Sequence, residues 1–281
     1  MTIGFAVSPA LVVDDPSDER IREFVGLRDR DLRVRDRATA ATETPLDSVF
    51  VAEGDPVVER AVRAGFELTA LLVDATRTRP LPDGVEAAAG VVYGAGPAVL
   101  ERITGMGVHR GCLGVFRRRP LPSLESVLSG ARRVLVLERV VNPINLGVIA
   151  RTAVGLGIDS MVLDDASVDP LYRRASRVAM GEVFDFPYTR AGRFPAGLDA
   201  VIEAGFTLVA LTPAGGAESI DDLSFAPDER VALVLGSEGP GLTDETMAVC
   251  HRRVAIPLAG NVDSLNVGAA AAIACYAITR A

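Results

Sequence analysis

The chain has 281 residues, 29 basic against 37 acidic side chains, a net charge of −8 and a hydrophobic content of 49%. That length favours two domains, and that apolar content suffices for packed cores and excludes a disordered chain. Every basic residue is Arg, which rules out a catalytic lysine, a P-loop lysine or a Schiff base. Cys112, Cys250 and Cys275 are widely spaced and form no CxxC pair, which excludes an ordinary zinc site and a disulfide framework and fits a reducing compartment. The first residues lack a basic start and a long apolar core, so no signal peptide is expected. No run of apolar residues is long enough to span a membrane, and a soluble cytoplasmic protein is expected.

In chain order, residues 47–116 read as an α/β unit. Val49 to Val51 form an apolar strand, EGDPVVERAVRAG has helical spacing with a stop at Gly65, and Leu68 to Val73 form a second strand. The loop RTRPLPDG and a strand near Gly111 to Phe116 follow, and RRRPLPSLES, with two prolines, reads as a linker. From about 131 the pattern alternates strictly. Strands RVLVLE, SMVLDD, FTLVAL and RVALVLG are separated by helices expected at 145–157, 170–180 and 195–205. Near-continuous apolar strands alternating with helices predict a parallel sheet covered on both faces. The expected division is an N-terminal domain over 1–120 (core about 47–116), a linker at 121–130 and a C-terminal domain over 131–281.

An acidic chain is a poor general match to nucleic acid, so any RNA contact must be concentrated locally. Arg clusters stand at 28–37, 117–119, 132–133 and 173–177. Arg117, Arg118 and Arg119 have no acid adjacent in sequence and are the first candidates for RNA binding.

Several familiar signatures fail. LGSEG at 235–239 has Leu where a nucleophile elbow needs Gly, and neither GAGPAV nor GPGLTD completes a dinucleotide fingerprint. His109 and His251 lie near no Ser or Cys with an obvious acid partner, and both read as structural or RNA-facing. Three segments of the C-terminal part are unusual. In NPINLGVIARTAVGLGID, Asn145 is a candidate helix cap and Arg151 stands among apolar neighbours. LVLGSEGPGL runs a buried strand into a glycine-rich loop whose one charge is Glu238, at the strand end where open parallel sheets bind ligands. In IPLAGNVDSLNVGAAAAIACYAI, Ser264 reads as an N-cap, with Leu265 and Asn266 opening an alanine-rich helix.

Taken together, these segments resemble the SpoU/TrmH family of RNA ribose 2′-O-methyltransferases, in the knotted SPOUT class. Asn145, Gly147 and Arg151 match its NxGxxxR motif, and Gly236, Ser237, Glu238, Gly239 and Gly241 match GSEGxG. Ile256, Pro257, Gly260, Ser264, Leu265, Asn266 and Val267 match IPxxGxxxSLNVS, whose final Ser is Gly268 here. DPLYRRASRVAMG resembles the family's intermediate segment, and residues 47–116 resemble the small substrate-binding domain of rRNA-directed members. The resemblance implies an α/β fold with a deep C-terminal trefoil knot, a homodimer with active sites at the interface, and no metal. It implies S-adenosylmethionine held near Leu211, Gly236, Ile256 and Leu265, and catalysis by Arg151, Asn145, Glu238, Ser264 and Asn266. The implied reaction is attack of a ribose 2′-hydroxyl on the cofactor's methyl group. Arg151 stabilises the developing alkoxide and grips the adjacent phosphate, because a guanidinium has essentially no free base at neutral pH. The leading substrate is 23S rRNA; the alternatives are tRNA, self-protection against a ribosome-directed antibiotic, and a catalytically silent RNA-binding protein of the same fold.

Overall fold

The computed structural model describes residues 11–25, 49–104, 111–213, 215–260 and 262–280. The Arg cluster at 28–37, His109 and the first ten residues lie outside these. The chain divides into two compact units, Met1–Arg119 with Leu171–Phe184, and Pro120–Pro170 with Asp185–Ala281.

The first unit is built on a five-stranded sheet of β1 (Leu11–Val12), β2 (Val49–Glu53), β3 (Leu68–Asp74), β4 (Val92–Ala95) and β5 (Cys112–Arg117), ordered β1-β4-β3-β5-β2. β5 runs antiparallel to β2 and β3, while β4 is parallel to β3. Helix α1 (Asp55–Arg63) starts with Pro in its first turn and ends at Gly65, whose φ of +76° is a conformation only Gly takes cheaply. Strand β4 and helix α2 (Pro97–Thr104) fall between the expected elements; GAGPAV spans the end of β4 and the first turn of α2, joined through Gly96. Phe50 stacks on Phe116 at 5.4 Å and meets Phe66 edge-on at 5.2 Å.

The same unit includes Leu171–Phe184, which the expected 131–281 domain counts as its own. The cause is electrostatic and apolar together. Glu53, at the end of β2, pairs with both Arg173 and Arg177, Arg60 pairs with Glu182, and Phe184 lies 5.6 Å from Phe50. Arg173 is buried, so its guanidinium requires that carboxylate.

The second unit carries β6 (Arg133–Leu137), β7 (Ser160–Leu163), β8 (Tyr188–Arg190), β9 (Phe206–Leu211), β10 (Glu218–Ser219), β11 (Arg230–Leu235) and β12 (Arg252–Ala255). They form one parallel sheet, ordered β10-β12-β9-β11-β6-β7-β8. The four apolar strands legible in the sequence include its centre. The sequence reading does not include the short strands β8, β10 and β12, because charges interrupt their apolar pattern, as where Arg252 of β12 pairs with Glu218 of the edge strand β10 at 2.7 Å. Both faces are covered. Val134 and Val136 join Leu128, Leu198 and Val201 on one side, while Leu135 and Leu137 on the other are fully buried too. Helix α3 (Pro143–Gly155) follows β6, α4 (Asp244–Val249) follows β11, and α5 (Val267–Arg280) packs on α3 and β11. No helix among the described residues is long and apolar enough to cross a membrane.

Cys112 and Cys275 are buried and Cys250 half-buried. Burial pushes the thiols up, Cys250 to about 11 and Cys275 to about 12, and Cys112 also faces the Asp55 carboxylate. The thiolate is the reactive form, so the native protein should react with a disulfide reagent at pH 8 far more slowly than the unfolded chain. Rapid labelling of Cys275 without unfolding would contradict this packing.

Candidate active site

The loops leaving β9, β11 and β12 meet at the C-terminal edge of the parallel sheet, around a cavity of about 340 Å³. Leu211, Gly236, Ile256 and Leu265, from four separate stretches of the chain, all line it. The glycine-rich loop explains its shape. A Cβ on Gly236 would stand 2.2 Å from the Gly241 carbonyl carbon and 2.3 Å from the Leu242 nitrogen, so the loop folds back onto its own start. Gly239 and Gly241 adopt φ of +84° and +73°, and the Gly241 N–H donates to the Ser237 carbonyl at 3.1 Å. The lining thus combines the exposed backbone of this loop with apolar side chains such as Leu211, Ile256, Leu258 and Leu265.

At the cavity's rim stands a carboxylate held by two amides. One oxygen of Glu238 accepts from Asn145 Nδ2 and, at 2.8 Å, from Asn266 Nδ2. Asn266 also donates to Asn145 Oδ1 at 3.3 Å. The second Glu238 oxygen has no partner among the described residues. Asn145 is buried within α3, and the helix cap is Asn142 instead, whose side chain accepts from Ile144 N–H ahead of Pro143. The expected cap at Ser264 is likewise displaced. Asn266 Oδ1 accepts from Gly268 N–H at 2.9 Å and its carbonyl from Ala270 N–H, so α5 begins two residues later, while Ser264 is exposed in the cavity lining. Both corrections share one cause. A capping side chain must reach an unpaired N–H, and which Asn or Ser does so depends on where the first turn closes.

Gly268 sits where α5 meets α3. A Cβ there would come within 2.9 Å of Val148 Cγ1, so the bulk of Val148 fills the space a larger residue would need.

Arg151 projects from α3 into solvent and has no hydrogen bond or ion pair among the described residues; it does not pair with Glu238. The apolar neighbours Ile149, Ala150 and Ala153 are buried, whereas the helical turn carries Arg151 outward. His251 pairs with β9, its Nδ1 accepting from Leu208 N–H at 2.9 Å. The three consecutive arginines of the first unit are engaged locally. Arg117 pairs with Glu67 at 2.8 Å, Arg118 donates to the Val49 carbonyl at 3.0 Å, and Arg119 lies 4.4 Å from the Phe66 ring centre. No group of His, Cys, Asp and Glu able to hold a metal occurs among the described residues.

The sequence reading missed Glu138. It follows β6 directly, is 2% exposed, and accepts from Thr243 N–H, Thr243 Oγ1 and Thr246 Oγ1 at 2.7 to 2.9 Å. It therefore ties the segment leading into α3 to the end of the glycine-rich loop. A lone acid straight after the apolar run Val134–Leu137 was the available signal.

Residues 132–276 match the SpoU rRNA Methylase family. A Mycobacterium bovis protein named as an uncharacterized tRNA/rRNA methyltransferase is 41% identical over 270 residues, covering 95% of this chain and 91% of that one. The 23S rRNA (guanosine(2553)-2′-O)-methyltransferase RlmP of Bacillus subtilis is 30% identical over 82% of this chain and 88% of its own. Among solved structures, the AdoMet-bound rRNA methyltransferase of Sinorhizobium meliloti superposes with a TM-score of 0.78 at 25% identity, covering 96% and 97% of the two chains. Motif residues gathered on one sheet edge and matches spanning nearly the whole chain agree: this chain belongs to the SpoU rRNA Methylase family, and with it to the RNA methyltransferases.

Proposed function

We propose that the protein transfers a methyl group from S-adenosylmethionine to the 2′-hydroxyl of a ribose in 23S rRNA. The observation that carries this reading is the cavity walled by the glycine-rich loop and apolar side chains, with the Glu238–Asn145–Asn266 cluster at its rim. Its volume lies in the range of small-molecule sites, about 300–1,000 Å³, and the absence of a Cβ at Gly236 leaves room where the loop closes. Those features fit a bent, partly apolar cofactor held by Leu211, Gly236, Ile256 and Leu265. S-adenosylmethionine supplies an electrophilic methyl group when bound.

The chain's own residues supply positioning and charge. Arg151, exposed and unpaired among the described residues, is free to grip an RNA phosphate and to stabilise the alkoxide forming on the ribose. Asn145 and Asn266 hold Glu238, whose second oxygen is available to orient the ribose or the guanidinium. Ser264, exposed in the cavity lining, adds a hydroxyl beside them.

The fold details accompany this reading. The close return of the 236–242 loop and the packing of α5 on α3 support a trefoil knot threaded by the C-terminal segment. Exposed Ile273 and Tyr276 on α5 support a homodimer, in which Arg151 serves the partner's cofactor cavity. The first unit serves as the RNA-binding domain. Of its three consecutive arginines at 117–119, Arg117 is the one best placed to contact RNA, because an exposed pair with Glu67 is weak and exchangeable. An rRNA substrate places the work in the cytoplasm.

The test is transfer of labelled methyl to unmodified total RNA, fractionated by size. Label in 23S rRNA, mapped to one 2′-O position, is expected. Label confined to tRNA overturns the substrate, and no label together with no cofactor binding leaves a silent RNA-binding protein.

A further inference from the structure

A second cavity, of about 730 Å³, opens on the same edge of the parallel sheet beyond the ends of β6, β7 and β8. Its acids fall into two kinds. Glu138 and Asp164 are buried and already satisfied, Glu138 by Thr243 and Thr246, and Asp164 by Ser167 N–H at 2.8 Å and Ser167 Oγ at 2.6 Å. Around them stand four exposed charged side chains, Arg139, Asp165, Arg193 and Glu245, none with a side-chain partner among the described residues. The half-buried ring of Phe194 completes the lining.

Arg139 carries a further mark. Its φ is +55°, a left-handed conformation unfavourable for a bulky residue and normally given to Gly or Asn. A long side chain held in a strained backbone, without a partner, is a pattern of sites awaiting a ligand.

We propose that this cavity takes a guanine base flanking the nucleotide whose ribose is methylated. The inference rests on the RNA methylation reading above. Guanine presents two donors, N1–H and N2–H₂, on one edge and two acceptors, O6 and N7, on another. A carboxylate accepts from the first pair and a guanidinium fork donates to the second, while an aromatic ring stacks on the base face. Asp165, Arg139 and Phe194 provide that set in one cavity, with Glu245 and Arg193 as the flanking charges.

The sheet order argues for a flanking base. The cofactor cavity lies over β12, β9 and β11, centred on β9, and the second cavity is centred on β7. Three strand spacings separate those centres, about 14 Å. That exceeds the reach of a base attached to the acceptor ribose and matches a neighbouring nucleotide splayed along the edge. The loop from Glu238 to Thr243 contributes to both cavities, Glu238, Gly239 and Gly241 to the first and Thr243 to the second, and the segment from Arg139, in the second cavity, leads to Asn145, which donates to Glu238, so one RNA strand can occupy both.

The test titrates the full-length protein with guanosine, inosine, adenosine, cytidine and uridine 5′-monophosphates, followed by NMR. Guanosine monophosphate should bind about tenfold more tightly than adenosine monophosphate, with inosine monophosphate weakened by loss of its amino group. Asp165→Asn should erase that preference. Arg139→Gly relieves the backbone, so its Tm should hold or rise while its KM for RNA increases about tenfold at unchanged kcat and cofactor Kd. Equal binding of all five nucleotides, or an unchanged KM in Arg139→Gly, overturns the proposal. Absence of methyl transfer by the wild type would overturn the parent reading alone, because nucleotide preference is read without turnover.

Discussion

Arg151→Ala is expected to lower single-turnover methyl transfer about 10²- to 10³-fold while leaving S-adenosylmethionine affinity and Tm unchanged. Arg151 is exposed, has no hydrogen bond or ion pair among the described residues and does not line the cavity proposed for the cofactor, so neither stability nor cofactor binding should depend on it. Its proposed contribution is to the charge that develops on the ribose oxygen, and a loss in kcat with intact cofactor Kd is the signature of that role. Arg151→Lys should also lose most activity, since a point charge cannot reproduce the guanidinium fork on a phosphate. Near wild-type turnover in the Lys variant would remove Arg151 from the mechanism.

Gly236→Ala should abolish cofactor binding and destabilise the second unit by about 2 kcal/mol. The added methyl group would meet the Gly241 carbonyl carbon at 2.2 Å and the Leu242 nitrogen at 2.3 Å, and both are backbone atoms that cannot rotate away. Relief requires opening the loop that carries Glu238. Gly155→Ala is the matched control. That glycine ends α3 with nothing within 4 Å of its would-be Cβ, so Ala there should raise stability by up to about 1 kcal/mol. Calorimetric titration of the cofactor beside thermal melts separates the two outcomes. Retained cofactor affinity in Gly236→Ala would mean the cavity is not the binding site. The same two lesions test the dimer. If Arg151 serves the partner's cavity, mixing Arg151→Ala with Gly236→Ala subunits should restore activity, because one cavity in each mixed dimer regains an intact Arg and an intact loop.

Much of this was legible in the sequence because it depends on short-range constraints. Apolar runs such as Val134–Leu137 and Val231–Leu235 mark strands buried on both faces, and Gly236, Gly239 and Gly241 mark a loop that tolerates no Cβ or needs left-handed backbone. The spacing of Asn145, Glu238 and Asn266 in three motifs pointed to one site, although no local rule states that two amides share one carboxylate oxygen. Where spatial neighbours come from distant positions, local patterns fell short. The pairing of Arg173 and Arg177 with Glu53 assigns 171–184 to the first unit, and Glu67 supplies Arg117 with the acid its sequence neighbours lack. Glu138, Arg139 and Arg193 read as ordinary loop charges until parallel pairing of β6, β7 and β8 puts the residues after each strand on one edge. The physical reason is the same throughout: periodicity and backbone strain are properties of a few consecutive residues, whereas the partner of a charge is chosen by register and by the order in which strands lie side by side.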